Sequence, residues 1–139
     1  MKFSKGTNYA LHTMIYLASQ NEKDTISLQE LAEQRNVPPS YLSKMLTKLA
    51  KKGLVASYSG AYGGFRLGKS AKEISFLDIT KAIEGDLPLF QGCDKDNGVE
   101  CLVENIMKNA ENEMDTYLAN TSLQDVLNKV EKHDLVDSI

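Results

Sequence analysis

From Lys5 to Ser19 the apolar residues Tyr9, Leu11, Met14, Ile15, Leu17 and Ala18 form a broad helical stripe with no proline to interrupt it, which predicts a first helix. Ser27-Leu28-Gln29-Glu30 has the form of a capping box, in which a hydroxyl and a carboxylate each satisfy an orphan amide. A second helix is therefore expected to open near Leu28 and to bury Leu28, Leu31 and Ala32. It must be short, because Asn36-Val37-Pro38-Pro39 follows and a residue before proline is pushed out of the helical region. Proline is tolerated in a first helical turn, so a third helix can run from Pro39 to Lys52, with Gly53 as its stop. Within it Leu42, Met45, Leu46 and Leu49 recur at i, i+3, i+4 and i+7.

The opposite face of that helix reads Ser40, Ser43, Lys44, Thr47, Lys48 and Lys51. Two helices joined by a tight turn, the second apolar on one face and small, hydroxyl-rich and basic on the other, make a helix-turn-helix pattern. Leu54 to Tyr58 and Phe65 to Leu67 then read as strands around the glycine-rich turn Ser59 to Gly64, a hairpin placed as a wing. Arg66, Lys69 and Lys72 extend its basic character, and Gly63 and Gly64 are expected to let the backbone approach phosphates. Further on, Ser75-Phe76-Leu77-Asp78 opens a fourth helix that is apolar at Phe76, Ile79, Ala82 and Ile83 and ends at Gly85. Asp86 to Val99 reads as a loop. Glu100 to Ala119 reads as one long helix whose stripe includes Leu102, Val103, Ile106, Met107, Ala110, Met114, Tyr117 and Leu118. A last helix from Leu123 to Val130 is capped by Thr121-Ser122. The long stripe exceeds what a small neighbour would cover, and pairing with a second copy through Leu102, Ile106, Ala110, Met114 and Leu118 is the economical explanation.

Charge sharpens this division. The 139 residues carry a net of −3, which by itself argues against nucleic acid. Residues 1–72, however, hold 11 Lys/Arg and 4 Asp/Glu, a net of +7, and residues 73–139 hold 5 and 15, a net of −10. Such asymmetry points to a nucleic-acid-facing surface in the first part, while the acidic part discourages contact elsewhere. The expected organisation is one compact domain, with residues 1–72 as the winged helix-turn-helix and 73–139 as a sensor loop and helical dimerisation region. No apolar stretch reaches the 18 to 20 residues or so that span a bilayer, and the first residues lack the apolar core of a signal peptide, so a cytoplasmic protein with no membrane partner is expected. Neither a nucleophile elbow, paired metal-binding histidines nor a phosphate loop accompanies the Ser, His and Asp residues, which argues against an enzyme with catalytic residues.

Leu28-Gln29-Glu30-Leu31-Ala32, Ser40-Tyr41-Leu42, Leu49-Ala50-Lys51-Lys52-Gly53-Leu54-Val55, Gly63-Gly64-Phe65 and Ile74-Ser75-Phe76-Leu77-Asp78-Ile79 together resemble the Rrf2 family over nearly the whole chain. These are bacterial dimeric winged helix-turn-helix regulators, including those sensing iron–sulfur status, nitric oxide and cysteine metabolism. The resemblance implies a mainly α fold with a small β-hairpin wing and a long C-terminal dimerisation helix. It implies a homodimer on a pseudo-palindromic double-stranded DNA operator, acting as a repressor, with the third helix in the major groove and the wing in the minor groove. Carried over by position, Ser40, Tyr41, Ser43 and Lys44 meet DNA; on the basic and glycine-rich character of the residues themselves, Lys48 and the wing residues Tyr62, Gly63, Gly64 and Arg66 are expected to join them. Two positions depart from the family's iron–sulfur cluster regulator. Ser43 stands where that regulator has a base-reading glutamate, and Ser59 where it has a wing arginine, so operator choice is expected to differ.

The loop departs further. Cluster-bearing members place three cysteines before the long helix, whereas this chain has only Cys93 and Cys101, and its two histidines, His12 and His133, are distant in sequence. Clusters take four ligands, predominantly thiolates, so no iron–sulfur cofactor and no metal site is expected. The two cysteines read either as inert thiols or as a redox-responsive pair, with Asp94, Asp96 and Glu100 disfavouring the thiolate. Asp94 to Gly98 only faintly resembles a calcium loop, since the glycine is one place early and the bidentate glutamate is missing. An iron–sulfur or small-molecule-sensing regulator is the alternative, and a protein-interaction module without DNA binding the remaining one.

Overall fold

The computed structural model describes residues 3–21, 23–86, 88–90 and 98–132, apart from the side chains of 98–101 and 131–132. Among the described residues there are six α-helices and one two-stranded hairpin, in the order α1 (Lys5–Ser19), α2 (Leu28–Arg35), α3 (Pro39–Lys51), β1 (Val55–Tyr58), β2 (Gly64–Leu67), α4 (Phe76–Glu84), α5 (Gly98–Ala119) and α6 (Leu123–Lys132), with a 3-10 turn at Ala71–Glu73.

Local chemistry accounts for most of the boundaries. The hydroxyls of Ser4, Ser27 and Ser75 accept the orphan amides of Thr7, Glu30 and Asp78 at the starts of α1, α2 and α4. Ser75 and Asp78 complete a reciprocal box, and Ser122 and Asp125 do the same for α6. The box expected at Ser27 is only half formed. The Glu30 carboxylate turns away to accept the Tyr16 hydroxyl at 2.7 Å, because a bond that ties α2 to α1 competes for it. Asn36 adopts the left-handed conformation that ends α2, and Lys52 caps α3, one residue before the expected end. Helix α5 starts at Gly98, two residues earlier than its apolar pattern suggests, and α6 runs on to Lys132.

The core joins both parts of the chain. Ala10, Met14 and Leu17 of α1 meet Leu31 of α2, Leu42, Leu46 and Leu49 of α3, Ile79 and Ile83 of α4, and Leu123 of α6 in one buried cluster. Two pairings with no local sequence signature close it. Ile26 bonds to Phe65 through both backbone groups, at 2.9 and 2.8 Å, an isolated antiparallel bridge beside β2. Ser75 pairs with Ser122, and the amides of Phe76 and Leu123 reach the carbonyls of Thr121 and Ile74, so α6 is fastened to the start of α4. Helix α5 stands apart: it packs on α4, and no described side chain of it is buried.

Candidate nucleic-acid interface

The inner face of α3 is held by Leu42, Met45, Leu46 and Leu49, all buried, which fixes the rotation of the helix and so what it shows to solvent. Ser40, Lys44, Thr47 and Lys51 follow one another at helical spacing along the outermost line, and all are exposed. The Thr47 hydroxyl donates back to the Ser43 carbonyl at 2.9 Å. Thr47 and Lys51 therefore share this line with Ser40 and Lys44, as their spacing from Lys44 already signals.

The other α3 candidates lie on its flanks. Tyr41 is half-buried, with its ring set edge-on to that of Tyr9, centroids 5.8 Å apart at 88°. Its hydroxyl stands beside Gly6, where a β-carbon would meet the Met45 sulfur at 2.7 Å, so α1 and α3 approach closely there. Lys48, one turn pair further along the same flank, is near enough to Glu84 to lower that carboxyl's pKa. Tyr41 thus helps dock α3 onto α1. Ser43, on the opposite flank, is half-buried.

In the wing, Val55 pairs with Leu67, Ala56 with Arg66, Ser57 with Phe65 and Tyr58 with Gly64. Phe65 and Leu67 pack against the core. Tyr62 at the tip is 92% exposed, and its carbonyl accepts the Thr25 hydroxyl at 2.7 Å, which pins the tip to the segment before Ile26. The two wing glycines answer a steric need within the fold. A β-carbon on Gly63 would lie 2.4 Å from the Tyr58 carbonyl oxygen, and one on Gly64, at φ +144°, 2.6 Å from that of Ile26. Glycine is required because the hairpin folds on itself and against Ile26. Arg66, expected as a phosphate hand, is half-buried and largely engaged: its guanidinium donates twice to the Tyr58 hydroxyl, at 3.0 and 2.7 Å, and once to the Lys23 carbonyl at 3.2 Å. It also lies 4.4 Å from the Tyr58 ring centre. Two of its five N–H groups remain for an outside partner.

The stripe of α5 divides in two. Met114 and Leu118 turn inward, forming a groove with Leu77 and Thr80 of α4, while Lys81 and Asp115 pair at 3.9 Å and Glu111 accepts the amides of Leu89 and Phe90. Leu102, Val103, Ile106, Ala110 and Tyr117 face outward and are exposed, Ile106 to 66%. Cys93 lies outside the described residues, as does the side chain of Cys101, whose backbone is in the first turn of α5.

Against known proteins, the model of the Rrf2 family, described as iron-dependent transcriptional regulators, matches residues 3–129. The HTH-type transcriptional regulator IscR of Vibrio vulnificus is 30% identical over 140 residues, spanning 99% of this chain and 83% of the relative. Among solved structures, CymR, the global cysteine regulator of B. subtilis, matches with a TM-score of 0.81 at 27% identity, covering 93% of this chain and 98% of that one. The oxidised form of Staphylococcus aureus CymR matches with a TM-score of 0.72 at 32% identity, covering 91% and 95%. The family description raises the question of iron. Two cysteines in the whole chain fall short of the four thiolates of a usual iron–sulfur cluster from one protomer. Members of the family are transcriptional regulators, not enzymes. With the family model spanning nearly its full length, the chain belongs to the Rrf2 family of transcriptional regulators.

Proposed function

We propose that this regulator binds a specific, pseudo-palindromic double-stranded DNA operator as a homodimer and represses transcription from it. The observation that carries the proposal is the outer line of α3, where Ser40, Lys44, Thr47 and Lys51 are all exposed on a helix locked from behind by four buried apolar residues. A rigid helix with short hydroxyls and long cations on one line suits a major groove: the cations find phosphates and guanine edges, the hydroxyls several bases. Tyr62, pinned at the wing tip, is then the residue to reach the neighbouring groove. Arg66 chiefly stiffens the wing, offering its remaining N–H groups to a phosphate. The outward face of α5 supplies the dimer contact, and two α3 helices about 34 to 36 Å apart would meet successive turns of DNA.

For the signal, Cys93 and Cys101, which lie in sequence between α4 and the body of α5, act as a reversible thiol pair. The donor count supports thiols over a cluster; the oxidised CymR structure at 32% identity is consistent with that chemistry.

The test is binding to DNA from the chain's own promoter region against scrambled DNA, across a salt series. Counterion release by several lysines predicts a steep fall of affinity with salt, on top of a sequence preference. Equal binding to both DNAs would sink the proposal. For the thiol pair, a Cys93→Ser/Cys101→Ser double variant should keep its DNA affinity under oxidant where the parent changes; identical behaviour of the two removes the switch. Protein purified without oxygen should be colourless and free of iron.

A further inference from the structure

Between α1, α2 and α6 lies a cavity of about 130 Å³. Leu31 of α2 and Leu127 and Val130 of α6 give it apolar walls. Its size is close to that of the dry protein cavity of about 150 Å³ known to take a benzene molecule, so it suits a ligand of roughly six or seven heavy atoms.

Two further features set it apart from a packing defect. Thr13 lines the cavity and is 2% exposed, yet its hydroxyl has no hydrogen-bond partner among the described residues. Native interiors leave few such groups, because a buried hydroxyl without a partner loses its hydration and gains nothing in return. His12 and Arg35 also line the cavity. Arg35 donates through Nε to the Gln34 carbonyl at 3.2 Å, and among the described residues the terminal fork of its guanidinium meets no acceptor. Burial, and then the charge of Arg35, hold the His12 pKa below its usual value, so the ring is neutral at pH 7 and Arg35 is the cation among the described lining residues.

We propose that this cavity binds a small aliphatic monocarboxylate of about four or five carbons, its carboxylate on Arg35, its hydrocarbon on Leu31, Leu127 and Val130, and the Thr13 hydroxyl regaining a partner. A planar fork matches a carboxylate. A phosphate would bring up to two charges against apolar walls with a single cation to meet them, which its desolvation disfavours. Because α2 packs directly against α3, a molecule wedged between α2 and α6 shifts where α3 is held. This last consequence rests on the DNA-binding reading, whereas the binding does not.

The test is calorimetry and thermal unfolding of the full chain with butyrate, valerate and isovalerate, against their amides, acetate and sodium chloride. The expected result is saturable binding of the four- and five-carbon acids, about tenfold or more tighter than of the amides or acetate, with a concentration-dependent rise in Tm. Arg35→Gln should weaken binding about tenfold, and Leu127→Phe, which fills the cavity, should abolish it. Thr13→Val should weaken binding without lowering the Tm of the free protein, since it deletes a hydroxyl that has no partner. Absence of saturable binding, equal binding of acids and amides, or binding unchanged in both Arg35→Gln and Leu127→Phe overturns the site. If the acids bind and operator DNA binds, but neither affects the other, the regulatory consequence falls and the site stands. If the acids bind and no operator preference exists, the DNA reading is what fails.

Discussion

Helices α3 and α5 both carry apolar residues at helical spacing, yet the chain uses them in opposite ways. On α3 the repeat Leu42, Leu46 and Leu49 is at most 1% exposed, so the stripe is spent within the chain and fixes the rotation of the polar face. On α5, Leu102 and Ile106 are 63% and 66% exposed, and only the inward residues, Met114 and Leu118 among them, meet α4. Periodicity reports that a helix is amphipathic and does not say what will cover it. A covered stripe orients a helix inside one protomer, whereas an uncovered one needs a second surface. In the proposed dimer α3 is the reading element and α5 the spacing element, and each owes its role to where its apolar residues end up.

The sharpest way to break this contrast is to place charge on the outward face of α5. Leu102→Lys together with Ile106→Lys should leave the helical signal of the protomer intact and convert the dimer to a monomer in sedimentation or light scattering. Operator affinity should then fall by about 10² to 10⁴, because the second half-site becomes an independent binding event. A variant that remains dimeric would mean that another surface makes the contact. Next in size is Leu46→Ala, which deletes a side chain buried to 1% and should cost about 2 to 5 kcal/mol in denaturant unfolding. Ile106→Ala should cost the isolated protomer almost nothing. Equal losses at the two positions would erase the distinction between the helices.

The sequence carries the elements of this fold well, because caps and apolar repeats are local. Ser27, Ser75 and Ser122 open helices as their hydroxyls suggest, and the four buried residues of α3 are those its spacing predicts. What joins distant segments is not written locally. The Ile26–Phe65 pairing, the strap from Ser75 to Ser122 and the turning of Glu30 toward Tyr16 each depend on partners that only the folded chain brings together. The candidate interface shows the same limit. Spacing puts Ser40 and Lys44 on one line, but it gives no hint that Tyr41 leans on Tyr9 or that Arg66 turns to Tyr58. Long α5 is apolar on two sides, so the division of Met114 and Leu118 from Leu102 and Ile106 required α4 in place.

The difference between the line and flank of α3 yields a smaller effect. Lys44→Ala removes a cation from the outermost line, and should cost about 1 to 3 kcal/mol of operator affinity and relax preference at one base position. Lys48→Ala, on the flank, should weaken binding to operator and scrambled DNA alike and reduce the salt slope by about one. Competition titrations against single-base operator variants separate the two. If Lys48 changes base preference as Lys44 does, the flank reads sequence and the geometric division of α3 is wrong.

The smallest effect concerns how α1 and α4 hold that flank. The Glu84 carboxylate accepts the Ser4 amide at 2.7 Å and the hydroxyls of Ser4 and Thr7, so the end of α4 is tied to the start of α1, beside Gly6 and Tyr41. Burial works against its charge, but the bonds from Thr7 and Ser4 and the nearby Lys48 outweigh it and bring the pKa below the ordinary 4.5. A carboxyl whose folded pKa lies below its unfolded value stabilises the fold fully above the unfolded pKa, and this contribution is lost as pH falls through the folded pKa. The Tm difference between the parent and Glu84→Gln should therefore be constant from pH 7 down to about pH 5 and shrink below it. Lys48→Ala should raise the pH at which the loss is complete and leave its onset in place, since one source of the lowering of the folded pKa is gone. A Tm difference that persists unchanged at pH 3 would mean that the glutamine loses shape rather than charge, and that Glu84 acts on the α1–α4 junction through packing alone.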